Sequence, residues 1–241
     1  LTRFSVIGDL VRAQLLDYGG QAVLSDITIQ GNVTIKQLSA DNVNAKPPLL
    51  IHGDSLQMKR AANGLAAIEV AGKAAEGKPA WVAMHEMELS GPSITLDQQT
   101  NQIQVVGAGQ LTVHSPERNR PASQVTWNEQ LLFDGRSARL IGDVQSRANY
   151  QLEDGRSMDL LIMSGELEIQ LSRKLDLAHP RSAVPLELSQ LIFTKDVFLQ
   201  NKTRDAKGQD LSSDQLQVGR LVVNQQTGRI IGEGSGQARS I

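Results

Sequence analysis

Residues 96–110 read LDQQTNQIQVVGAGQ, and residues 223–237 read VNQQTGRIIGEGSGQ. The two stretches align without a gap at a constant offset of 127. Gln98, Gln99, Thr100, Ile103, Gly107, Gly109 and Gln110 face Gln225, Gln226, Thr227, Ile230, Gly234, Gly236 and Gln237. Each copy is an apolar run, a polar break and a second alternating run, the pattern of two strands joined by a hairpin turn. Asn101 in the first copy is Gly228 in the second. Both residue types tolerate positive φ, which favours a turn over a binding loop. Gly107 and Gly109 lie two apart, on one face of a strand. Missing Cβ atoms there mark a bend at a sheet corner, a bulge, or a surface that a second backbone or a ligand approaches closely.

Outward from this repeat the same period continues. Ile27, Ile29, Val33 and Ile35 alternate with Thr28, Gln30 and Thr34, and further alternating pairs run from Ile103/Val105 to Leu221/Val223. Short alternating runs bounded by Gly, Asn, Asp and Pro predict antiparallel strands with one buried face. The chain reads as all-β. Residues 1–20 are the exception: Phe4, Ile7, Leu10, Val11 and Leu15 fall near helical spacing before Gly19-Gly20, predicting a short N-terminal helix. Residues 61–75 read as strand plus loop, and a loop insertion is expected near 173–185, where Pro180 and Pro185 stand among few periodic apolar positions. A weaker echo joins IQGNV (29–33) to LIGDV (140–144). The economical reading is two related halves, 21–115 and 125–241.

Composition narrows the function classes. The 241 residues are 40% hydrophobic and 21% charged, enough to build a core, but only 3% aromatic, so Leu, Ile and Val must fill it. Lys plus Arg total 24 against 26 Asp plus Glu, giving a net charge of −2. With no basic excess and few rings for stacking, nucleic acid is excluded as the expected partner. Absence of Cys removes disulfides, thiolate nucleophiles and cysteine metal sites. No apolar run approaches the roughly 20 residues of a transmembrane helix. The chain begins at Leu1 without a basic-then-apolar leader, as a processed protein or a piece of a longer one would.

Four strings carry a family likeness: ITIQGNVTIKQLSADNV (27–43), SITLDQQTNQIQVVGAGQLTV (93–113), LLFDGRSARLIGDV (131–144) and LVVNQQTGRIIGEGSG (221–236). Through them the chain resembles the organic-solvent-tolerance-A-like (OstA-like) family, which includes periplasmic lipopolysaccharide-transport proteins. The shared feature is an apolar-x-Gly-[Asn/Asp]-Val step, here Gly31-Asn32-Val33 and Gly142-Asp143-Val144, followed by polar hairpins and glycine-ended strands. The resemblance implies an antiparallel β-jelly roll, V-shaped, with two facing sheets and an apolar groove between them. It also implies a periplasmic or cell-envelope location.

Chemistry-bearing motifs are scarce. His52, His85, His114 and His179 have no partner at metal-ligand spacing; His85 beside Glu86 and Glu88 is the best metal candidate, and an exposed strand explains it more simply. No GxSxG elbow is present, and Gly232, Gly234 and Gly236 lack the dinucleotide spacing. Among Asp154, Asp159, Glu166 and Glu168, Asp159 has the parity of a wet face. Taken with what the resemblance implies, the expectation is a non-enzymatic module, without metal or cofactor, that binds or conveys an amphipathic, lipopolysaccharide-like lipid. Its candidate lining is Ile29, Val33, Ile103, Val105, Phe133, Leu160, Ile162, Leu191, Phe193, Val197 and Val223, residues that would equally serve a closed core. The alternative is an assembly module that joins other β-jelly-roll modules end to end through open sheet edges. An enzyme with carbohydrate specificity ranks third.

Overall fold

A computed structural model describes residues 3–38, 49–63, 65–84, 87–114, 123–152, 154–178 and 187–240. In chain order its strands begin with β1 (Arg3–Ile7), β2 (Leu10–Tyr18), β3 (Gln21–Leu38), β4 (Leu49–Lys59), β5 (Ala67–Ala71) and β6 (Ala80–Met84). There follow β7 (Met87–Gly91), β8 (Ser93–Asp97), β9 (Gln102–Val106), β10 (Gly109–Val113), β11 (Ser123–Trp127) and β12 (Gln130–Phe133). The last six are β13 (Ser137–Gln151), β14 (Ser157–Leu171), β15 (Leu188–Arg204), β16 (Asp210–Asn224), β17 (Ile230–Glu233) and β18 (Gln237–Ser240). Every pairing between them is antiparallel, and the described residues contain no α-helix.

The registers reveal a simple meander with two walls. Wall I runs β2–β3–β4–β5–β8–β9–β12–β13–β14–β15–β16–β17. Wall II runs β1–β3–β4–β6–β7–β10–β11–β13–β14–β15–β16–β18. Each long strand belongs to both walls, and each remaining step across the meander is a consecutive pair of short strands, one per wall. The described residues thus form twelve rungs. The β9–β12 and β10–β11 pairings carry both walls on from residue 113 to residue 123 without a break.

What divides the walls is a line of irregular backbone through the middle of every rung. In β3 and β4, Gly31-Asn32 oppose Asp54; in β13 and β14, Gly142-Asp143 oppose Gly165; in β15 and β16, Lys195-Asp196 oppose Gly219. Two residues against one is a β-bulge, which bends its strand and increases the local twist. The paired residues are left-handed in all three cases: φ is +70° and +49°, +90° and +42°, +66° and +56°. Glycine adopts this region freely, and Asn and Asp enter it more readily than other residues. The Gly-[Asn/Asp]-Val step is therefore the corner of a rung. Gly107, whose φ is +91°, is also a corner, so the first of the repeat's two glycines marks a bend. Gly109 has a different task. A Cβ there would run into the Trp127 indole and stand 2.7 Å from the Ser90 carbonyl oxygen.

The N-terminal helix expected from sequence is not present; residues 3–18 are β1 and β2, one rung broken at Gly8-Asp9. Gly8-Asp9 and a register shift between Gln14 and Leu15 each reset the period-two alternation. Two resets in thirteen residues spread the apolar positions into a spacing that imitates a helical turn. Pairing with β3 on both walls overrides that local pattern. Residues 67–71 form a strand flanked by short 3-10 turns, and the described part of the loop after β14 is 172–178. Residues 179–185 of the expected insertion lie outside the described residues.

The two repeat copies are equivalent hairpins. Asp97 Oδ1 accepts from the backbone N–H groups of Gln99 and Thr100 at 2.8 and 3.1 Å. Asn224 Oδ1 accepts from those of Gln226 and Thr227 at 3.0 and 2.9 Å. Each turn leads into a wall I strand, a glycine corner and a wall II strand.

Candidate functional site

All eleven candidate lining residues fall on one side of the meander and in one apolar cluster that draws on both walls. Within wall I, burial falls with distance from the corner line, with Ile169 as the buried exception. In wall I, Ile29, Leu56, Val70, Val105, Leu131, Phe193 and Leu221 stand next to the corner and are buried. Two residues further out on the same strands, Ile27, Met58, Ile68, Ile103, Phe133, Leu191 and Val223 are only partly buried. Wall II is packed further out: Val33, Ala80, Val144, Val197 and Val218 are buried beside the corner, and in the next row Ile35, Ile51, Val125 and Ile162 are buried while Val82, Leu89, Leu111, Leu199 and Leu216 are only partly so. The inward surface thus has a most buried row beside the corner line, its apex, and a less buried outer row, its mouth.

This gradient sorts the candidates. Ile29, Val33, Val105, Phe193 and Val197 are apex residues, with Phe193 and Val197 at 0% exposure, and Ile162 is buried one inward position further out. They belong to one cluster of buried residues, and removing any of them would leave a cavity in the packing. Ile103, Phe133, Leu160, Leu191 and Val223 line the mouth, where an apolar surface is incompletely covered. The sequence reading did not separate the two sets, and it omitted the mouth residues Met58, Val82, Leu89, Leu111 and Leu216. Alternation reports the inward face but not the depth of a residue along it, which depends on where each rung bends. The signal that could have shown depth was the glycine steps, since an apolar residue beside a step is next to the apex.

Polar chemistry lies outside this interior. One cleft of about 490 Å³ at the rim of wall I is lined by Asp134, Arg136, Ser137, Glu168, Gln170, Leu171, Ser172, Ser189 and Gln226. A second, of about 290 Å³, lies on the outer face of wall II among Gln110, Gln124, Thr126, Gln145 and Arg147. None of the eleven candidates lines either cleft. Asp159 faces outward, paired with Arg204 and Asn149. Glu166 is held by Lys195 and by Arg139 at 2.7 Å, which together keep its carboxyl below its ordinary pKa. These are structural pairs on the outer faces of the sheets.

The histidines do not converge. His52 stacks on Trp81 with ring centroids 5.4 Å apart, and His114 Nε2 lies 3.1 Å from Glu88 Oε1. His85, Glu86 and His179 lie outside the described residues. Among the described residues no group of three or more His, Asp or Glu side chains is placed to hold a metal ion, and no helix is long and apolar enough to cross a membrane. Compared with known proteins, the chain matches no family model and no curated protein.

Proposed function

We propose that the chain is a non-enzymatic, OstA-like module of the periplasm or cell envelope that binds or conveys an amphipathic lipid of lipopolysaccharide-like chemistry. In this reading the two walls are the facing sheets of a V-shaped β-jelly roll, and 21–115 and 125–241 are its duplicated halves. The observation that carries it is the continuous apolar inward face from β3 to β16, with partly buried side chains along its outer row in wall I. These ten rungs at about 4.8 Å spacing make an apolar trough roughly 45 Å long. Each acyl methylene leaving water for that lining contributes about 0.8 kcal/mol. Aliphatic walls suit a chain without fixed geometry, since they hold it by area rather than by directed contacts. The polar head would stay at the mouth, in water.

The test is photolabelling with a lipid carrying a photoreactive group on its acyl chain. Leu160→Asp and Leu191→Asp, at the mouth, should each lower labelling at least about tenfold, because a carboxylate in the lining must be desolvated or neutralised when the chain binds. The β-type circular dichroism should persist. Unchanged labelling in both variants refutes the reading.

A second reading, end-to-end assembly through sheet edges, is favoured by a separate observation. Among the described residues the first rung pairs only with the second and the last only with the eleventh, and both edges are apolar. Phe4, Ile7, Leu10, Val11 and Leu15 are exposed on the first, Ile230 and Ile231 on the last. Unpaired backbone flanked by exposed apolar side chains is the surface that another strand covers.

A further inference from the structure

Residues 172–178 leave the rim of wall I after β14 and run back across the turns of other rungs. The N–H of Leu175 donates to the Gly135 carbonyl at 2.7 Å. Asn101 grips the segment twice: Nδ2 donates to the Leu175 carbonyl at 2.7 Å, and Oδ1 accepts from the Leu177 N–H at 2.8 Å. Gln98 adds a third hold, Nε2 to the Leu177 carbonyl at 3.1 Å, while its Oε1 accepts from the Ala66 N–H at 2.8 Å. Leu177 is only 5% exposed, yet it belongs to neither wall.

The positions that receive this segment share one parity. Gln98, Asn101 and Gly135 each stand two residues beyond an inward-facing side chain, respectively Leu96, Ile103 and Phe133. The segment therefore crosses on the interior side of wall I, over the mouth. Position 101 is informative in its own right. Its repeat counterpart is Gly228 at φ +68°, and Asn101 holds the same left-handed backbone at φ +59°. Glycine meets that conformation without steric cost, so it is the side chain that position 101 uses, and the side chain is spent on the segment.

We propose that residues 172–178 form a strap that closes the mouth beside β5, β8, β9 and β12, with Leu177 as its plug and Asn101 as its latch, and that its release admits an apolar chain there. The occupant rests on the proposed function; the closure does not. Among the described residues the strap takes part in no strand pairing; Asn101 and Gln98 hold it through side-chain hydrogen bonds beside the backbone bonds of Ser172 and Leu175, so it opens at lower free energy than the walls.

The chain contains no cysteine, so Ile103→Cys places a single thiol one inward position behind the latch. Asn101→Gly removes the latch and keeps the turn's backbone. Two rates are read with and without Asn101→Gly: modification of that thiol by a water-soluble maleimide, and uptake of dansyl-undecanoic acid by the chain without the thiol. The expected result is an acceleration of both by about tenfold, the equivalent of the hydrogen bonds lost. Thiol modification unchanged by Asn101→Gly overturns the strap, whatever the acid does. Faster modification with the acid taken up equally fast by both proteins overturns the gating and leaves the proposed function standing. Faster modification with no acid bound by either protein overturns the lipid occupant and retains the closure. Should Ile103→Cys fail to fold, amide exchange at Leu175 and Leu177 in the otherwise unaltered chain reads the same opening.

Discussion

Asn128 and Asp143 lock two neighbouring rungs together at the corner line. Asn128 Nδ2 donates to Asp143 Oδ2 at 3.1 Å, and the Asn128 N–H donates to the Gly142 carbonyl at 2.7 Å. Asp9 and Asn32 make the same arrangement with the side chains exchanged: Asn32 Nδ2 donates to Asp9 Oδ2 at 3.1 Å, and the Asp9 N–H donates to the Gly31 carbonyl at 3.0 Å. The Gly-[Asn/Asp] step thus bends its own strand and also pairs with the corner of the rung before it. Gly142→Ala tests this directly. At φ +90°, with Glu129 N only 2.9 Å from the new Cβ, it should cost about 2 kcal/mol. Gly219→Ala, a corner with ordinary φ and nothing nearer than 3.5 Å, should change stability by less than about 0.5 kcal/mol. Urea unfolding of both variants checks the contrast; equal losses would remove the conformational argument.

Trp127 is 1% exposed, and its Nε1–H donates to the Gly107 carbonyl at 3.1 Å. A methyl at Gly109 must push the indole aside, so Gly109→Ala should destabilise by about 1–3 kcal/mol. In a Trp81→Phe background, where Trp127 is the remaining tryptophan, the same change should shift emission to the red. An unshifted spectrum with unchanged stability would contradict the close approach.

Acid should loosen the hairpins. Backbone N–H groups of Ser137 and Arg136 hold Asp134 below its ordinary value of 3.8. Burial pushes Asp97 upward, but Arg60 and the N–H groups of Thr100 and Gln99 outweigh it and the net shift is downward. Both carboxyls bind protons less tightly folded than unfolded. Their stabilisation is therefore complete above the ordinary value and is lost as pH falls through the lowered folded value. Stability should be level down to about pH 5 and decline below about pH 4. Asp134→Asn, which keeps an acceptor but not the titrating charge, should shallow that decline in urea unfolding followed across the range.

Edge pairing predicts concentration-dependent association. Ile7 and Ile230, 59% and 60% exposed, occupy the two edge rungs. At such exposure Ile7→Lys and Ile230→Lys should each alter folding stability by less than about 0.5 kcal/mol. Each should nevertheless reduce association in sedimentation, since charge at a sheet edge blocks strand addition. A parent chain that stays monomeric at every concentration removes the second reading.

Period-two alternation, polar turns and Gly-[Asn/Asp] steps were legible in the sequence by itself. They determined that the chain is antiparallel β, that 96–110 and 223–237 are equivalent hairpins, and which side chains face inward. These are local properties, because pleat, turn chemistry and left-handed backbone are set within a few residues. Tertiary structure alone decided that residues 3–18 pair with β3 as strands despite helical spacing, since that outcome rests on partners far along the chain. It alone divided the inward residues into a packed apex holding Phe193 and a looser mouth holding Leu191, because depth depends on where every rung bends together. It also brought Asn101 to Leu175 and Leu177, more than seventy residues away, a contact on which neither segment's own pattern bears.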